Sequence, residues 1–419
     1  MAHSTFSLAG LRHLTQLLGP GVLMATAAIG GSHLVASTQA GANYGWQLAL
    51  LVLAVNILKY PFFRAGVSYT ISTGETLQHG YLQMGKGYLI TALLLNVISS
   101  VVNAAALLMF AASLLGYFVP FTTSIPVLSG IVLAAILFIL IAGHYSALDK
   151  VSKVIMVTLV IATLGATFMA WQNGAVAPDD FVSPSPWTMA AVGFLVVTMG
   201  WMPAPIEISG ITSLWLKKQK QEQSVTPQSA LFDFNLGYFT TMLLALVFLA
   251  LGALVLHGAD NTLASGGIGF SKQLVDLYAG TIGEWARWLI AVVAFLCIFG
   301  SALTVYDGYS RAVAEAAMLL KGQKDTPESV FIIVLSAVAV ISFAIVLFFK
   351  SALLAMLGFA MTLAFMTTPM FALLNHKLVI QAALNDDVKA SPLVTLLSYG
   401  GLIYLFGFLA LFIAWKWFL

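Results

Sequence analysis

The chain has 419 residues, of which 60% are hydrophobic and only 8% are charged, and its mean hydropathy is +0.97. A soluble domain of this size does not have that balance, so the composition predicts a polytopic membrane protein. A formal net charge of +2, with the basic residues scattered along the chain, argues against nucleic-acid binding. The single cysteine, Cys297, excludes an internal disulfide.

Windows of roughly 20 apolar residues predict eleven membrane spans, numbered 1 to 11 in chain order. Their approximate bounds are 17–41, 45–69, 87–116, 124–143, 151–171, 187–215, 231–257, 283–318, 329–349, 351–374 and 393–418. Because the linkers are short, we expect one membrane domain over residues 1–419 and no appended soluble domain. The first apolar run lacks a cleavage pattern and is expected to be a retained helix rather than a signal peptide.

The basic residues predict an orientation. With the N-terminus in the cytoplasm, 14 of the 18 Lys and Arg residues lie at or near the inner side, as the positive-inside rule requires. The four that fall outside are Lys272, Arg287, Lys350 and Lys416. Lys59 and Arg64 of span 2 are expected to extend towards the cytoplasmic interface.

Span 6 is interrupted near its middle, in the stretch AVGFLVVTMGWMPAPIEISGITSLWL at 191–216. Pro203 and Pro205 have no N–H, so the carbonyls of Met199 and Trp201 lose their helical partners. Carbonyls of this kind are tolerated at membrane depth only where they are buried in protein or line a cavity. The first half-helix then ends with its negative pole at the break, which favours a cation there.

Span 1 carries a second interruption, GGS at 30–32. Paired interruptions in two halves of a chain are typical of inverted-repeat transporters with a binding site at the membrane midplane. The repeats are predicted over about 17–171 and 187–374, with an extra helix at about 393–418. The alternative for the glycine pair is close helix packing.

Three more groups of intramembrane polar residues are candidates for binding. Glu207 is an isolated carboxylate in the first turn of the second half of span 6, where it is expected to face a cavity or a partner. In span 8, Ser301 and Thr304 share a helix face and Asp307 lies further round. In span 3, a neutral stripe is formed by Asn96, Ser99, Ser100 and Asn103.

Each group has a simpler alternative. The hydroxyls of span 8 would bond back to their own helix, and Asp307 would pair with Arg311 at i, i+4. The span 3 stripe would make interhelical hydrogen bonds rather than line a water path. His33 would bond to backbone at the break, and Met199 and Met202 would be apolar filling.

Three segments resemble the NRAMP family of metal transporters. GPGVLMATAAIGGSHLVASTQAGANYGW at 19–46 resembles the first helix of that family, and TMGWMPAP at 198–205 is similar to its sixth. GFAMTLAFMTTPMFALL at 358–374 is similar to its tenth. The resemblance implies an all-α membrane protein of LeuT type, with a 5+5 inverted repeat, about eleven helices and alternating access around a central cation site.

This sequence departs from the family at its functional positions. The metal-binding Asp of the family is Gly30 here, and its Asn is His33. The thioether residue of the family is conserved in type as Met202. The position of the family's tenth-helix Gln is occupied by Thr362. The remaining positions in span 6, one Ala and two His, fall on Met199, Ala204 and Ser209.

We therefore predict a secondary active transporter that moves a small cation by alternating access, with a divalent metal ion as the leading candidate. Hydrolase and nucleotide-binding motifs are absent from the sequence, so an enzyme is not expected, nor is a cofactor. The predicted substrate-site residues are Gly30, His33, Met199, Trp201, Met202, Glu207 and Thr362. Since a transition metal accepts imidazole, thioether and carboxylate ligands, the predicted metal ligands are His33, Met202 and Glu207. The predicted coupling-ion residues are Ser301, Thr304 and Asp307, with sodium or protons as the ion.

Two other functions stay open. Gly30 in place of an Asp leaves room for a small organic solute, and the half-helix N-termini can receive its carboxylate. A receptor-like relative that no longer transports is the second. In each case the expected partner is the lipid bilayer, with the N-terminus cytoplasmic, in a bacterial inner membrane.

Overall fold

The structure is a computed structural model, and it describes residues 19–121, 123–142, 145–178, 180–259, 264, 266–349 and 352–418. These residues are almost entirely helical and contain no β-strand. Some residues used for the predicted orientation lie outside the described residues, namely Arg12, Asp179, Asp260 and Lys350.

Helices are present at all eleven predicted spans, and two of the eleven are interrupted, as predicted. Span 1 consists of an α-helix Pro20–Ala28, a π-helical segment Ser32–Ser37 and an α-helix Thr38–Tyr44. Span 6 consists of Val192–Gly200 and Ile208–Glu222. The other spans are Ala49–Thr73, Lys86–Phe118, Ile125–Ile141, Tyr145–Asn173, Pro227–Val255, Arg287–Leu320, Glu328–Phe349, Leu353–Gln381 and Pro392–Trp417. Among the described residues, two further α-helices lie between spans, Leu77–Met84 and Gly267–Ile282.

The helix ends follow the local sequence. Spans 7 and 11 begin at Pro227 and Pro392, where the missing N–H costs no helical hydrogen bond. Thr226 caps span 7 by accepting a hydrogen bond from the Ser229 N–H at 3.1 Å. Span 2 ends at Gly74, whose φ of 76° is left-handed and therefore favours glycine.

Spans 1 and 7 are in backbone contact. A Cβ on Gly21 would lie 2.2 Å from the carbonyl oxygen of Asp233, and a Cβ on Gly237 would lie 2.3 Å from that of Gly21. The Asp233 carboxylate accepts hydrogen bonds from the N–H groups of Gly19 and Gly21, at 3.1 and 2.7 Å. An anion at a helix N-terminus is favourable, so Asp233 fixes the start of span 1 against span 7.

Seven of the described helices are long and apolar enough to cross a membrane. The outer helices present large apolar side chains away from the protein: in span 9, Ile333, Val340 and Phe348 are 66%, 70% and 81% exposed. Such an uninterrupted apolar exterior suits a lipid solvent and not water. The chain is a multi-pass integral membrane protein.

Candidate functional site

The break in span 6 covers residues 201–207. The first half-helix ends at Gly200, and a regular helix resumes at Ile208. Gly200 lies directly on span 10, since a Cβ there would be 1.9 Å from the carbonyl oxygen of Met361. Across the break the backbone bonds are sparse; the Met202 N–H reaches the Met199 carbonyl at 3.4 Å.

A lysine occupies the end of the first half-helix. The Lys59 ammonium of span 2 donates to the carbonyl of Met199 at 2.7 Å and to that of Gly200 at 3.4 Å. Lys59 is 0% exposed, and its position at the negative pole of a helix is favourable. The prediction that Lys59 extends to the cytoplasmic interface is therefore wrong, because the break provides acceptors inside the protein.

Glu207 lies on the other side of the break, at the N-cap of the second half-helix. Its Oε1 accepts a hydrogen bond from the Tyr309 hydroxyl of span 8 at 3.1 Å. Its Oε2 is buried, and the Ser99 hydroxyl of span 3 lies close to the carboxyl. Glu207 interacts electrostatically with Lys59, so an amine holds the end of the first half-helix and a carboxyl stands at the start of the second.

Hydrogen bonds connect the break to spans 3 and 8. The Trp201 indole N–H donates to the Asn103 side-chain oxygen at 3.0 Å, and the Asn103 amide donates to the Tyr309 hydroxyl at 3.0 Å. Tyr309 in turn donates to Glu207. Of these residues, Tyr309 was not predicted from the sequence. Asn103 belongs to the stripe for which a water path and interhelical hydrogen bonding were the alternatives, and it makes interhelical hydrogen bonds.

A narrow cavity lies where the two breaks face each other, between spans 1, 3, 6 and 8. Its lining consists of Ala27, Ala28, Gly31, Ser32, Asn103, Leu107, Trp201, Ala204, Pro205, Ile208, Val305 and Tyr309. The volume open to the centre of a water molecule is about 20 Å³, which is enough for one or two waters. Gly31 allows this close approach, because a Cβ there would lie 2.4 Å from the Trp201 ring.

The break in span 1 is held by hydroxyl groups. The Ser301 hydroxyl of span 8 donates to the Thr26 carbonyl at 2.7 Å, and the Ser32 hydroxyl donates to the Ala28 carbonyl. Gly30 lies against Ser301, whose Oγ would be 2.7 Å from a Cβ at that position. At this point spans 1 and 8 meet through a hydroxyl of span 8 and a glycine of span 1.

His33 points away from the break and towards span 7. One ring nitrogen, Nδ1, lies 2.5 Å from the Ser32 hydroxyl, and the other, Nε2, lies 2.8 Å from the Thr241 carbonyl. The ring packs edge-on against Phe248. Both nitrogens are engaged, which matches the alternative in which His33 is hydrogen-bonded to backbone.

The other residues predicted for the site are dispersed. The Met199 sulfur accepts a hydrogen bond from the Tyr404 hydroxyl at 2.7 Å, and the Met202 sulfur lies 3.9 Å from the Ser37 hydroxyl. Both methionines belong to an apolar cluster. Thr362 donates to a carbonyl of its own helix and does not line the cavity. No group of three or more His, Cys, Asp or Glu side chains that could hold a metal ion occurs in the part of the chain that the structure describes.

The three residues predicted to bind a coupling ion in span 8 have different partners. Thr304 donates to the Ser301 carbonyl of its own helix at 2.9 Å. Asp307 pairs with Arg311 at 2.8 Å, and this i, i+4 pair was one of the two predicted alternatives. Of the three, Ser301 alone contacts span 1 among the described contacts.

No family model matches the chain. A protein of Pasteurella multocida (strain Pm70), "Uncharacterized protein PM0681", is 49% identical over 400 residues, which are 95% of this chain and 92% of the relative. The chain belongs to the same family as that protein. At this level of identity the two chains share one fold.

Solved structures are similar over nearly the whole chain. The Eremococcus coleocola manganese transporter, in complex with an aromatic bis-isothiourea substituted compound, has a TM-score of 0.71 at 14% identity, over 99% of this chain and 88% of that one. MhsT in complex with L-phenylalanine has a TM-score of 0.65 at 13% identity, over 93% and 98%. Mhp1, a nucleobase-cation-symport-1 family transporter with bromovinylhydantoin bound, has a TM-score of 0.59 at 14% identity, over 95% and 92%. The fold is therefore the predicted all-α LeuT type, with helices 1 and 6 interrupted.

Proposed function

We propose that this chain is a secondary transporter of a small organic solute, which binds in the cavity between spans 1, 3, 6 and 8. One observation carries the proposal: the cavity lining is mostly apolar, includes the aromatic rings of Trp201 and Tyr309, and contains the polar side chains of Ser32 and Asn103. Sites for small organic molecules have this character. The lining includes no carboxylate, imidazole or thioether, which are the side chains that a metal site uses.

The half-helix poles support the same proposal. The negative pole of the first half of span 6 already holds the Lys59 ammonium, so a second cation there would meet a like charge. Two structures with the same fold were solved with organic ligands, L-phenylalanine in MhsT and bromovinylhydantoin in Mhp1. Both ligands are small molecules with a polar portion and an apolar portion, and a mostly apolar lining with a few polar side chains suits such a molecule.

A divalent metal ion is the second candidate substrate. It is favoured by the similarity to the manganese transporter and by the resemblance of residues 19–46 to NRAMP first helices. His33, Met202 and Glu207 would be its ligands. For this, His33 would have to give up its hydrogen bonds to Ser32 and Thr241, and Lys59 would have to leave the break.

In either case we infer one membrane domain over residues 1–419, with repeats at about 17–171 and 187–374 and an extra helix at about 393–418. We infer an N-terminus in the cytoplasm and alternating access to the cavity. The structure is narrow at the cavity, so a solute larger than water would enter only when spans 1 and 6 move apart. If span 6 also moves away from span 3, the hydrogen bond from Trp201 to Asn103 breaks.

Isothermal titration calorimetry on the purified full-length protein tests the proposal. The panel is L-phenylalanine and other amino acids, hydantoin, purines, Mn²⁺, Mg²⁺ and Cu⁺. We expect heat from an organic solute, lost in Trp201→Ala and Asn103→Ala and kept in Asn96→Ala, a control on the same span outside the cavity lining. Heat of metal binding that is lost in His33→Ala and Glu207→Gln would support a divalent metal ion as the substrate. No heat throughout, together with no flux into liposomes, would indicate a receptor-like protein that does not transport.

A further inference from the structure

Lys59 is a charged group placed where a coupling cation would bind. In transporters with broken helices, unwound carbonyls and the C-terminal ends of half-helices are the groups that coordinate the coupling ion. Here the carbonyls of Met199 and Gly200 are such groups, and the Lys59 ammonium donates to both, at 2.7 and 3.4 Å. The side chain is 0% exposed.

The surroundings of Lys59 suit a bound cation. The Glu207 carboxyl lies across the break and interacts electrostatically with Lys59. The Tyr404 hydroxyl of span 11 donates to the sulfur of Met199, the residue whose carbonyl accepts from Lys59. Burying an ammonium is costly unless its hydrogen bonds are made, and Lys59 donates to two carbonyls.

We propose that Lys59 is a tethered cation, whose ammonium takes the place at the break of span 6 that a free monovalent coupling cation would otherwise take. This rests on the proposed function of the chain as a LeuT-type transporter. It follows that the wild-type protein needs no alkali cation at the break. It also follows that shortening Lys59 exposes the Met199 and Gly200 carbonyls to a free cation of similar size.

Thermal unfolding of the full-length protein in detergent, followed by tryptophan fluorescence, tests this without a known substrate. The probes are the chloride salts of choline, sodium, potassium and methylammonium at equal ionic strength. Methylammonium reproduces the lysine head group, and choline is too large to fit where the Lys59 ammonium binds. The variants are Lys59→Ala, which leaves the place open, and Lys59→Met, which fills it without a charge. Lys377→Ala, which removes a lysine near the Tyr88 hydroxyl, is the control.

We expect the wild type and Lys377→Ala to have the same Tm in all four salts. Lys59→Ala should have a lower Tm in choline that rises saturably with methylammonium or sodium, as ligand binding to the folded state requires. Lys59→Met should have a lower Tm that no salt restores. If Lys59→Ala does not fold, Lys59→Ser takes its place in the same series.

The proposal is overturned if no small cation raises the Tm of the shortened variant, or if sodium or potassium stabilises the wild type saturably. This outcome is independent of solute binding. Cation rescue without any solute heat in the calorimetric panel would reject the transport proposal and keep the tethered cation. Solute heat without cation rescue would reject the tethered cation and keep the transport proposal.

Discussion

Both helix breaks leave carbonyl groups inside the membrane protein without their helical partners. The groups that bind these carbonyls differ between the two breaks. In span 1 the partners are neutral hydroxyls, Ser301 on the Thr26 carbonyl and Ser32 on the Ala28 carbonyl. In span 6 the partner is an ammonium: Lys59 donates to the carbonyls at the end of the first half-helix, and Glu207 stands at the start of the second. A neutral hydrogen bond contributes about 1 kcal/mol, whereas a hydrogen bond to a charged group contributes about 1.5–3 kcal/mol. The break of span 6 is therefore where substitutions should matter most.

The largest effect is expected at Lys59. Lys59→Met removes the donor of the buried Met199 and Gly200 carbonyls and the cationic group that faces Glu207; leaving a buried polar group without its partner costs about 1–3 kcal/mol, and more where a charged group is involved. We expect a large loss of stability, measured by denaturant or thermal unfolding in detergent. The double variant Lys59→Met with Glu207→Gln should recover part of the loss, since no charge is then left unpaired. Strictly additive losses would mean that the two groups are independent and that the break is not charge-coupled.

The second effect tests the backbone of the same break. Gly200→Ala would place a Cβ 1.9 Å from the Met361 carbonyl oxygen, so spans 6 and 10 would have to separate. Overpacking of this kind costs about 1–3 kcal/mol. Gly358→Ala is the matched control, because nothing lies within 4 Å of its Cβ position. Equal stability of the two variants would contradict the contact between spans 6 and 10.

The third effect is on the neutral break and should be smaller. Ser301→Ala removes the hydroxyl that bonds to Thr26 across spans, at a cost of about 1 kcal/mol. Thr304→Val removes a hydroxyl that bonds within its own helix and should change the free energy of unfolding little. A loss for Ser301→Ala as large as that for Lys59→Met would abolish the distinction between the two breaks.

Much of the fold could be predicted from the sequence because the lengths of apolar runs and the positions of Pro203 and Pro205 are local signals. They give the eleven spans, the break of span 6 and the place of Glu207 at the start of its second half. The prediction for Lys59 was wrong. The sequence already places Lys59 near the middle of span 2, where a lysine cannot easily extend to the interface.

The partners of the site residues could not be predicted. Lys59 and Met199 are 140 residues apart, and His33 and Thr241 are 208 apart. Such contacts depend on how the spans pack, which no local pattern encodes. The family resemblance pointed to His33 as a ligand by its position, while its ring turns instead towards span 7, where both nitrogens find partners.

Uptake into liposomes that contain the purified protein, in sodium-free buffer, tests the central claim most directly. Radiolabelled amino acids, hydantoin, purines and Mn²⁺ would be compared in the wild type and in Trp201→Ala. An organic solute should accumulate in wild-type liposomes and not in Trp201→Ala liposomes, while Mn²⁺ stays outside in both. Mn²⁺ uptake that His33→Ala and Glu207→Gln abolish, with no organic solute entering, would contradict the account.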